Sequence, residues 1–316
     1  MARIFVVLVI LWANTALAQA PARMISGFPP GGAVDILARV FAEEWSKSIG
    51  RPAIVENITG AGGLLAMQNL KNAAPDGNTL AVSTDSSLIV YPHTVAKPFY
   101  NTFSDFTPIA HAGSTVYALA IGTHVPAKDF SEFVAWAKAN PEKSSFGASG
   151  AGSALQFFGI LVSQTAGMPM THVPYKGVGP SVAEMIGGQI AATVVPIGTV
   201  VPQVKSGKAR VLAHSGGARV ASLPEVPTFK ELGYPTLESP VWFCIVGPGG
   251  LQPETVNRLN ETFVQAMRTP LVRERMARLD LEIREMTAAQ FAAMMKSDYE
   301  RWGRVVKASG WKPSSE

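Results

Sequence analysis

The sequence predicts an α/β protein built as two lobes. Three observations support this: short apolar strands alternate with helices, two glycine-rich turns each follow a strand and open a helix, and 316 residues suffice for two compact units. Alternating strands and helices are typical of parallel βαβ units with right-handed crossovers. In such sheets ligands bind at the carboxyl ends of the strands, so the two turns are the first candidates for a site.

The first turn is Phe28–Ala33, which follows a short apolar strand and opens a helix over 33–49. Its prolines stiffen the turn, and its glycines let a ligand approach the backbone closely. Amides from Gly31 to Val34 begin the helix without an intrahelical acceptor, which favours an anion such as a carboxylate. A glycine-rich turn without a ligand is the alternative that this motif leaves open.

The next elements continue the alternation of strand and helix. They are a strand at 53–57, a glycine turn at 60–63, a helix at 64–72, strands at 79–83 and 114–121, and a helix over 130–140. Asp129 and Glu132 have the spacing of a capping box at the start of that helix. Ser83 and Thr84 end a strand, so we expect them on the same sheet edge as the first turn.

The second glycine-rich turn, Ser149–Ser153, follows a strand at 144–148 and opens a helix that runs to about 166. Its amides, with the hydroxyls of Ser149 and Ser153, are candidates to bind the same anion from the other side. Simple N-capping by serine is the alternative, and this motif by itself favours it.

The rest of the chain completes two lobes. Strands are predicted at 171–174, 191–195, 211–214, 236–246 and 281–284, and helices at 180–186, 253–268, 270–279 and 287–308. We expect residues 22–121 and 234–316 to form one lobe and residues 122–233 the other. The two crossings would form a hinge, with the ligand between the lobes.

The N-terminus has the pattern of a secretory signal peptide over 1–18. One basic residue precedes an apolar core, and small residues at Ala16 and Ala18 mark a cleavage site, with cleavage after Ala20 as a second option. The mature protein is therefore expected to be soluble and exported. The basic residues that give the net charge of +4 are scattered, which argues against a nucleic-acid partner.

Catalytic and metal-binding patterns are weak. Ser149 lies in Gly-Ala-Ser-Gly-Ala, where the hydrolase elbow needs a glycine at the position of Ala151. The five histidines are isolated, without the spacing of metal ligands. The lone cysteine, Cys244, lies in an apolar run and is expected to be buried in a strand. We therefore expect no enzymatic activity, no cofactor and no metal.

Several motifs, in order along the mature chain, together resemble the periplasmic solute receptors of tripartite tricarboxylate transporters, the Bug-type binding proteins. They are Phe28–Gly32 with Asp35, Val55–Asn57 with Gly60–Gly63, Ala74–Gly77, His172–Gly177, Gly187–Gln189, Leu223–Thr228, Trp242-Phe243 and Trp302-Gly303. The resemblance implies a two-lobed periplasmic binding-protein fold of type II, in which each lobe is a mainly parallel sheet flanked by helices.

The resemblance also implies a function. A monomeric receptor would close on one small carboxylate and deliver it to the integral-membrane subunits of the transporter, without chemistry or a cofactor. The ligand-binding residues it implies are Phe28, Pro30, Gly31, Gly32, Ala33, Asp35, Ser83, Thr84, Ser149, Gly150, Ser153 and Tyr175. A sensor that presents its closed form to a signalling partner is an alternative, and an exported hydrolase is a weaker one.

Two residues and one strand indicate which kind of ligand to expect. Gln156 stands where the family often has histidine, and the strand at 190–197 lacks the acidic residues that are common there. The missing acids remove partners for an ammonium group, so we expect a mono- or dicarboxylate without an amino group, aromatic acids included. Asp35 would repel an anion, so we expect it to hold the first turn or to bridge the closed lobes.

Overall fold

The computed structural model describes residues 20–313. The predicted signal peptide, 1–18, lies outside this range. Within it, no helix is both long and apolar enough to cross a membrane.

Strands and helices alternate through most of the described chain. The strands are β1 (Ala22–Ser26), β2 (Ala53–Asn57), β3 (Thr79–Thr84), β4 (Phe106–Gly122), β5 (Ser145–Ser149), β6 (Thr171–Tyr175), β7 (Ala192–Pro196), β8 (Ala209–His214) and β9 (Pro240–Pro248). The helices are α1 (Ala33–Ile49), α2 (Leu64–Lys71), α3 (Phe130–Ala139), α4 (Ala154–Thr165), α5 (Val178–Ile186), α6 (Val201–Lys205), α7 (Pro253–Ala266), α8 (Pro270–Arg278) and α9 (Ala288–Ala308).

The strands form one continuous mixed arrangement in the order β2-β1-β3-β9-β4-β7-β5-β6, with β8 also paired to β4. Strands β2, β1 and β3 are parallel, as are β6, β5 and β7. Antiparallel pairs join these two sets through β9 and β4, and β8 is antiparallel to β4. We call the part with β1–β3 and β9 the first lobe, and the part with β5–β8 the second lobe.

Strand β4 passes through both lobes. Its residues from Phe106 to Val116 pair with β9, and those from Tyr117 onward pair with β7 and β8. The chain returns beside the same point, where the amide of Ser215 donates to the carbonyl of Tyr117 at 2.9 Å and the amide of Ser239 donates to Ser215 at 2.9 Å. The lobe boundaries at 121 and 234 stay predictions.

Most of the predicted elements are confirmed, and four details differ. The strand predicted at 281–284 is only an isolated bridge between Ser114 and Glu282. Strand β4 begins at Phe106 rather than at 114. The sequence pattern did not reveal this first part, because two shifts in its register break the alternation of buried and exposed residues. Strand β9 begins at Pro240, after a single 3₁₀ turn over Pro235–Leu237.

The fourth detail is the box before α3. The carboxylate of Asp129 accepts from the amide of Glu132 at 2.8 Å, as predicted. The carboxylate of Glu132 reaches back to the amide of Lys128, at 2.8 Å, and not to that of Asp129. The cap therefore satisfies amides on both sides of the helix start.

The core is continuous between the lobes. Phe157 and Phe158 of α4 are buried in the same cluster as Trp302 of α9 and Leu88 of the first lobe. The predicted burial of Cys244 in a strand is confirmed, since its side chain is fully enclosed in β9. In this structure, apolar side chains therefore pack across the boundary between the lobes.

Candidate ligand-binding site

A buried carboxylate organises the first glycine-rich turn. Asp35 is 2 % exposed, and one of its oxygens accepts from the amide of Gly31 and from Nε of Arg39, both at 2.9 Å. Its other oxygen accepts from Nδ2 of Asn57 at 2.8 Å, and the same Nδ2 donates to the carbonyl of Phe28 at 3.0 Å. Asp35 therefore holds the first turn, which is one of the two roles that the sequence predicts for it.

The charge of Asp35 is balanced inside the protein. Burial by itself would raise the pKa of this carboxyl, but hydrogen bonds from Arg39, Gly31 and Asn57, with the charge of Arg39, outweigh burial and lower it. The group is therefore ionised at neutral pH and paired with a cation one helical turn away. This pairing removes most of the repulsion that we expected between Asp35 and an anion.

The amides of the turn are only partly available. The expectation that the Gly31 amide is free is wrong, because it donates to Asp35. The amide of Gly32 makes a long bond of 3.4 Å to the carbonyl of Pro29. Gly32 is the N-cap of α1 and supplies no capping side chain, so the amides of Ala33 and Val34 begin α1 without an intrahelical acceptor. These two amides are the candidates of this turn for binding an anion.

The glycine turn at Gly60–Gly63 packs directly behind the first glycine-rich turn, Phe28–Ala33. A Cβ at Gly63 would lie 3.2 Å from the ring of Phe28 and from Oγ of Ser87, and Gly63 has φ +95°. Oγ of Ser87 donates to the carbonyl of Gly62 at 3.2 Å and lies 3.4 Å from Oγ1 of Thr84. These contacts connect the ends of β1 and β3 into one rim.

Substitution of Gly27 tests this packing. A Cβ at Gly27 would lie 2.7 Å from the Cα of Gly63, so Gly27→Ala must displace backbone and should cost about 1–3 kcal/mol of unfolding free energy. Gly179→Ala is the control: it lies inside the start of α5 with open space around it, and it should be neutral or stabilising by up to about 1 kcal/mol. Urea unfolding measures both. Equal effects would contradict the proposed role of Gly27.

Ser83 and Thr84 differ in accessibility. Ser83 is 3 % exposed, and its carbonyl accepts a weak bond from the thiol of Cys244. Thr84, one residue further along β3, is half-buried and lies beside Ser87. Of the two, Thr84 has the side chain that is open to a ligand.

The second glycine-rich turn is held mainly by its own lobe. The amide of Gly150 donates to the carbonyl of Tyr175 at 2.8 Å, and the amide of Gly152 donates to Oε1 of Gln156 at 2.7 Å. Oγ of Ser153 donates to the carbonyl of Gly150 and accepts from the amide of Gln156. The N-capping alternative for Ser153 is therefore confirmed, and its hydroxyl proton is already used.

Two side chains of this turn and its neighbouring strand remain partly accessible. Ser149 and Tyr175 end the parallel strands β5 and β6 at paired positions, and both are half-buried. Burial, with the nearby charge of Glu184, raises the pKa of Tyr175, so its phenol stays protonated and able to donate to an anion. The turn thus offers hydroxyl donors more readily than the glycine amides we expected.

We call the first glycine-rich turn with Thr84 the rim of the first lobe, and Ser149–Ser153 with Tyr175 the rim of the second lobe. The two rims meet at Ser86, a residue absent from the predicted site. Oγ of Ser86, just after β3, accepts from the amide of Ala154, the first residue of α4, at 3.2 Å. The amide of Ser86 donates to Oδ1 of Asp85 at 2.7 Å. The sequence signal was available, because Ser86 follows the Ser83-Thr84 pair, but nothing local connects it to α4.

Arg39, Asn57 and Ser87 were also missed. Asn57 ends β2, which is parallel to β1, so the sheet-edge rule that selected Thr84 applies to it as well. Arg39 lies four residues after Asp35 on the predicted helix, a spacing that indicates an ion pair, whereas Ser87 carries no such signal because it meets Gly62 only in the folded chain.

A surface groove of about 570 Å³ lies elsewhere, in the second lobe between the start of α3 and β8. Its lining includes Asp129, Arg210 and Glu225, and neither rim contributes to it. The candidate site therefore rests on the hydrogen bonding of the two rims and not on the size of a cavity.

The chain is similar to proteins of one family along nearly its whole length. The sequence profile of the tripartite tricarboxylate transporter family receptor matches residues 37–311. The protein BugT of Bordetella pertussis is 30 % identical over 293 residues, which cover 92 % of this chain and 90 % of BugT.

Solved structures agree. One described as a periplasmic transporter is 35 % identical with a TM-score of 0.85, covering 94 % of this chain and 99 % of that one. MatC of Rhodopseudomonas palustris, solved with bound malate, is 28 % identical with a TM-score of 0.82, covering 90 % of this chain and 98 % of MatC. The predicted two-lobed binding-protein fold is confirmed, and the chain belongs to the tripartite tricarboxylate transporter receptor family.

Proposed function

We propose that the protein is a periplasmic receptor that binds a small carboxylate between its lobes and passes it to the membrane subunits of a tripartite tricarboxylate-type transporter. The observation that carries the proposal is the hydrogen bonding of the first glycine-rich turn at the start of α1. Asp35 fixes this turn from behind, and the turn presents the uncapped amides of Ala33 and Val34. Family membership supplies the transport context.

The ligand contacts are proposed from both rims. Phe28, Pro30, Gly31 and Gly32 shape the turn around the amide of Ala33, and Asp35 acts only through the turn. Donors to the anion are the amides of Ala33 and Val34 with the hydroxyls of Thr84, Ser149 and Tyr175. Three of the originally predicted residues, Ser83, Gly150 and Ser153, support the rims from within, because the side chain of Ser83 is buried and the polar groups of the other two are already bonded.

We propose a mono- or dicarboxylate that lacks an amino group. Strand β7 and the residues after it, from Ala192 to Thr199, contain no acidic side chain that would pair with an ammonium. MatC, a relative at 28 % identity, was solved with malate, a dicarboxylate without an amino group. The protein is proposed to act as a monomer and without catalysis.

A thermal-shift screen of the mature protein tests the proposal. The panel is malate, adipate, citrate, terephthalate, nicotinate, glutamate and aspartate, with malamide as the uncharged match to malate. A ligand at one hundred times its Kd stabilises the native state by about 2.7 kcal/mol, which raises Tm by roughly 5 °C for a protein of this size.

The expected result is a saturable rise in Tm with an acid that lacks an amino group, and none with malamide. Saturable binding of glutamate or aspartate alone would contradict the proposed ligand class. No shift with any acid on the panel would contradict the anion-binding role of α1.

A further inference from the structure

We propose that Ser86 is a positioning residue that latches the two lobes together through the start of α4. The inference goes beyond the proposed function and rests on it only for its consequence, the ligand affinity. Ser86 belongs to the first lobe and Ala154 to the second, and the hydrogen bond between them joins the rims directly. Both partners are protein groups, so the latch does not depend on which ligand is bound.

Ser86 is held rigidly on its own side. Its amide donates to the carboxyl group of Asp85, whose second oxygen accepts from the hydroxyl of Tyr117 at 3.2 Å. Tyr117 lies where β4 changes partners between the lobes. The next residues, Leu88–Val90, are fully buried. A hydrogen-bonded path thus runs from the hinge strand to the latch.

Other contacts lie across the junction between the two lobes. A Cβ at Gly152 would lie 3.4 Å from Oγ1 of Thr94, across the same junction. The rings of Phe157 and Trp311 lie 5.5 Å apart, and Nε1 of Trp311 donates to the carbonyl of Thr94 at 2.8 Å. The latch itself is partly buried, since Ala154 is 2 % exposed and Ser86 is half-buried, so its hydrogen bond contributes more to closure than a fully exposed bond does.

The latch uses an amide that would otherwise lack a partner. The amide of Ala154 is the first of α4 and has no intrahelical acceptor, and Ser153 satisfies only the amide of Gln156. When the lobes separate, the amide of Ala154 must find water instead. Removal of the Ser86 hydroxyl should therefore favour the open form.

The test measures lobe separation with no ligand added. Spin labels are attached at Gln68→Cys in α2 and Ala183→Cys in α5, both exposed and one on each lobe. Cys244 is fully buried, and burial raises the pKa of its thiol far above the usual range, so it does not take the label. Pulsed electron resonance then gives the distance distribution between the labels.

We expect a short-distance population in the parent, and Ser86→Ala should lower the ratio of closed to open molecules by about 2- to 10-fold. Ser86→Thr keeps the hydroxyl and should restore the parent distribution. Ser131→Ala, an exposed serine of α3, is the control that should change nothing. Circular dichroism confirms that each variant is folded.

Two results would overturn the latch: a Ser86→Ala distribution equal to that of the parent, or a parent with no short-distance population. Because no ligand is present, either failure leaves the receptor proposal standing. Conversely, a carboxylate panel without a hit leaves this measurement unaffected.

Discussion

Asp35→Ala is expected to destabilise the protein and to weaken carboxylate binding. The change removes the shared acceptor of Gly31, Arg39 and Asn57. Arg39 is more than half exposed and can turn to water, so the cost falls on the amide of Gly31 and the side-chain amide of Asn57, which lose a buried acceptor. We expect a loss of about 2–4 kcal/mol of unfolding free energy in urea.

Binding should fall because the turn loses its support while the amides of Ala33 and Val34 remain. A displaced supporting residue typically costs about tenfold in affinity, measured here by calorimetry with the acid that raises Tm in the screen. Glu43→Ala removes an exposed acid paired with Lys47 on the same helix, and it should cost less than about 0.5 kcal/mol with unchanged affinity. Equal losses of stability and affinity in Asp35→Ala and Glu43→Ala would contradict the proposal that Asp35 holds the first glycine-rich turn.

Asp85→Asn is expected to stabilise the protein more at pH 8 than at pH 5. Burial raises the pKa of Asp85 to about 7, reinforced by repulsion from Asp298 and opposed by hydrogen bonds from Ser86 and Tyr117 and by the charge of Arg301. Cys244 lies close enough for the charge of Asp85 to raise the pKa of its thiol as well.

The direction follows from the protons bound. The unfolded chain releases the Asp85 proton near pH 4, whereas the folded chain keeps it to about pH 7. Between these values the folded state binds more protons, so the unfolding free energy falls as pH rises. Asparagine cannot ionise, so the variant escapes this loss, which is on the order of 2 kcal/mol between pH 5 and pH 8.

Urea unfolding of both proteins at the two pH values measures the difference. Asp35→Asn is the matched control: the pKa of Asp35 is lowered, so its contribution is lost only below pH 4 and its effect should be the same at pH 5 and pH 8. A pH-independent effect of Asp85→Asn would show that Asp85 is ionised throughout.

The two carboxylates show how differently sequence and structure define a site. For Asp35, the sequence indicated an acid near an anion site and left two roles open. In the structure, Asp35 holds the turn, because Asn57 of a neighbouring strand donates a hydrogen bond to it. For Asp85, no pattern in the sequence indicated a role, because its burial depends on β4 and α9 packing over the end of β3.

The sequence by itself determined the features that depend on neighbours within a few residues. The bounds of α1 and β2 and the cap at Asp129 all follow from adjacent side chains and backbone amides. The family motifs additionally predicted the fold, since their order along the chain is visible without coordinates.

Only the tertiary structure decided which polar groups are available. Asp35 and Asn57 are 22 residues apart in sequence, and Ser86 and Ala154 are 68 apart. Amides that look free in a glycine-rich turn become bonded when a distant strand brings an acceptor, as the end of β6 does for Gly150. The sequence therefore located the rims, and the long-range pairing of strands determined which of their groups can bind an anion, because hydrogen-bond partners are set by packing in three dimensions.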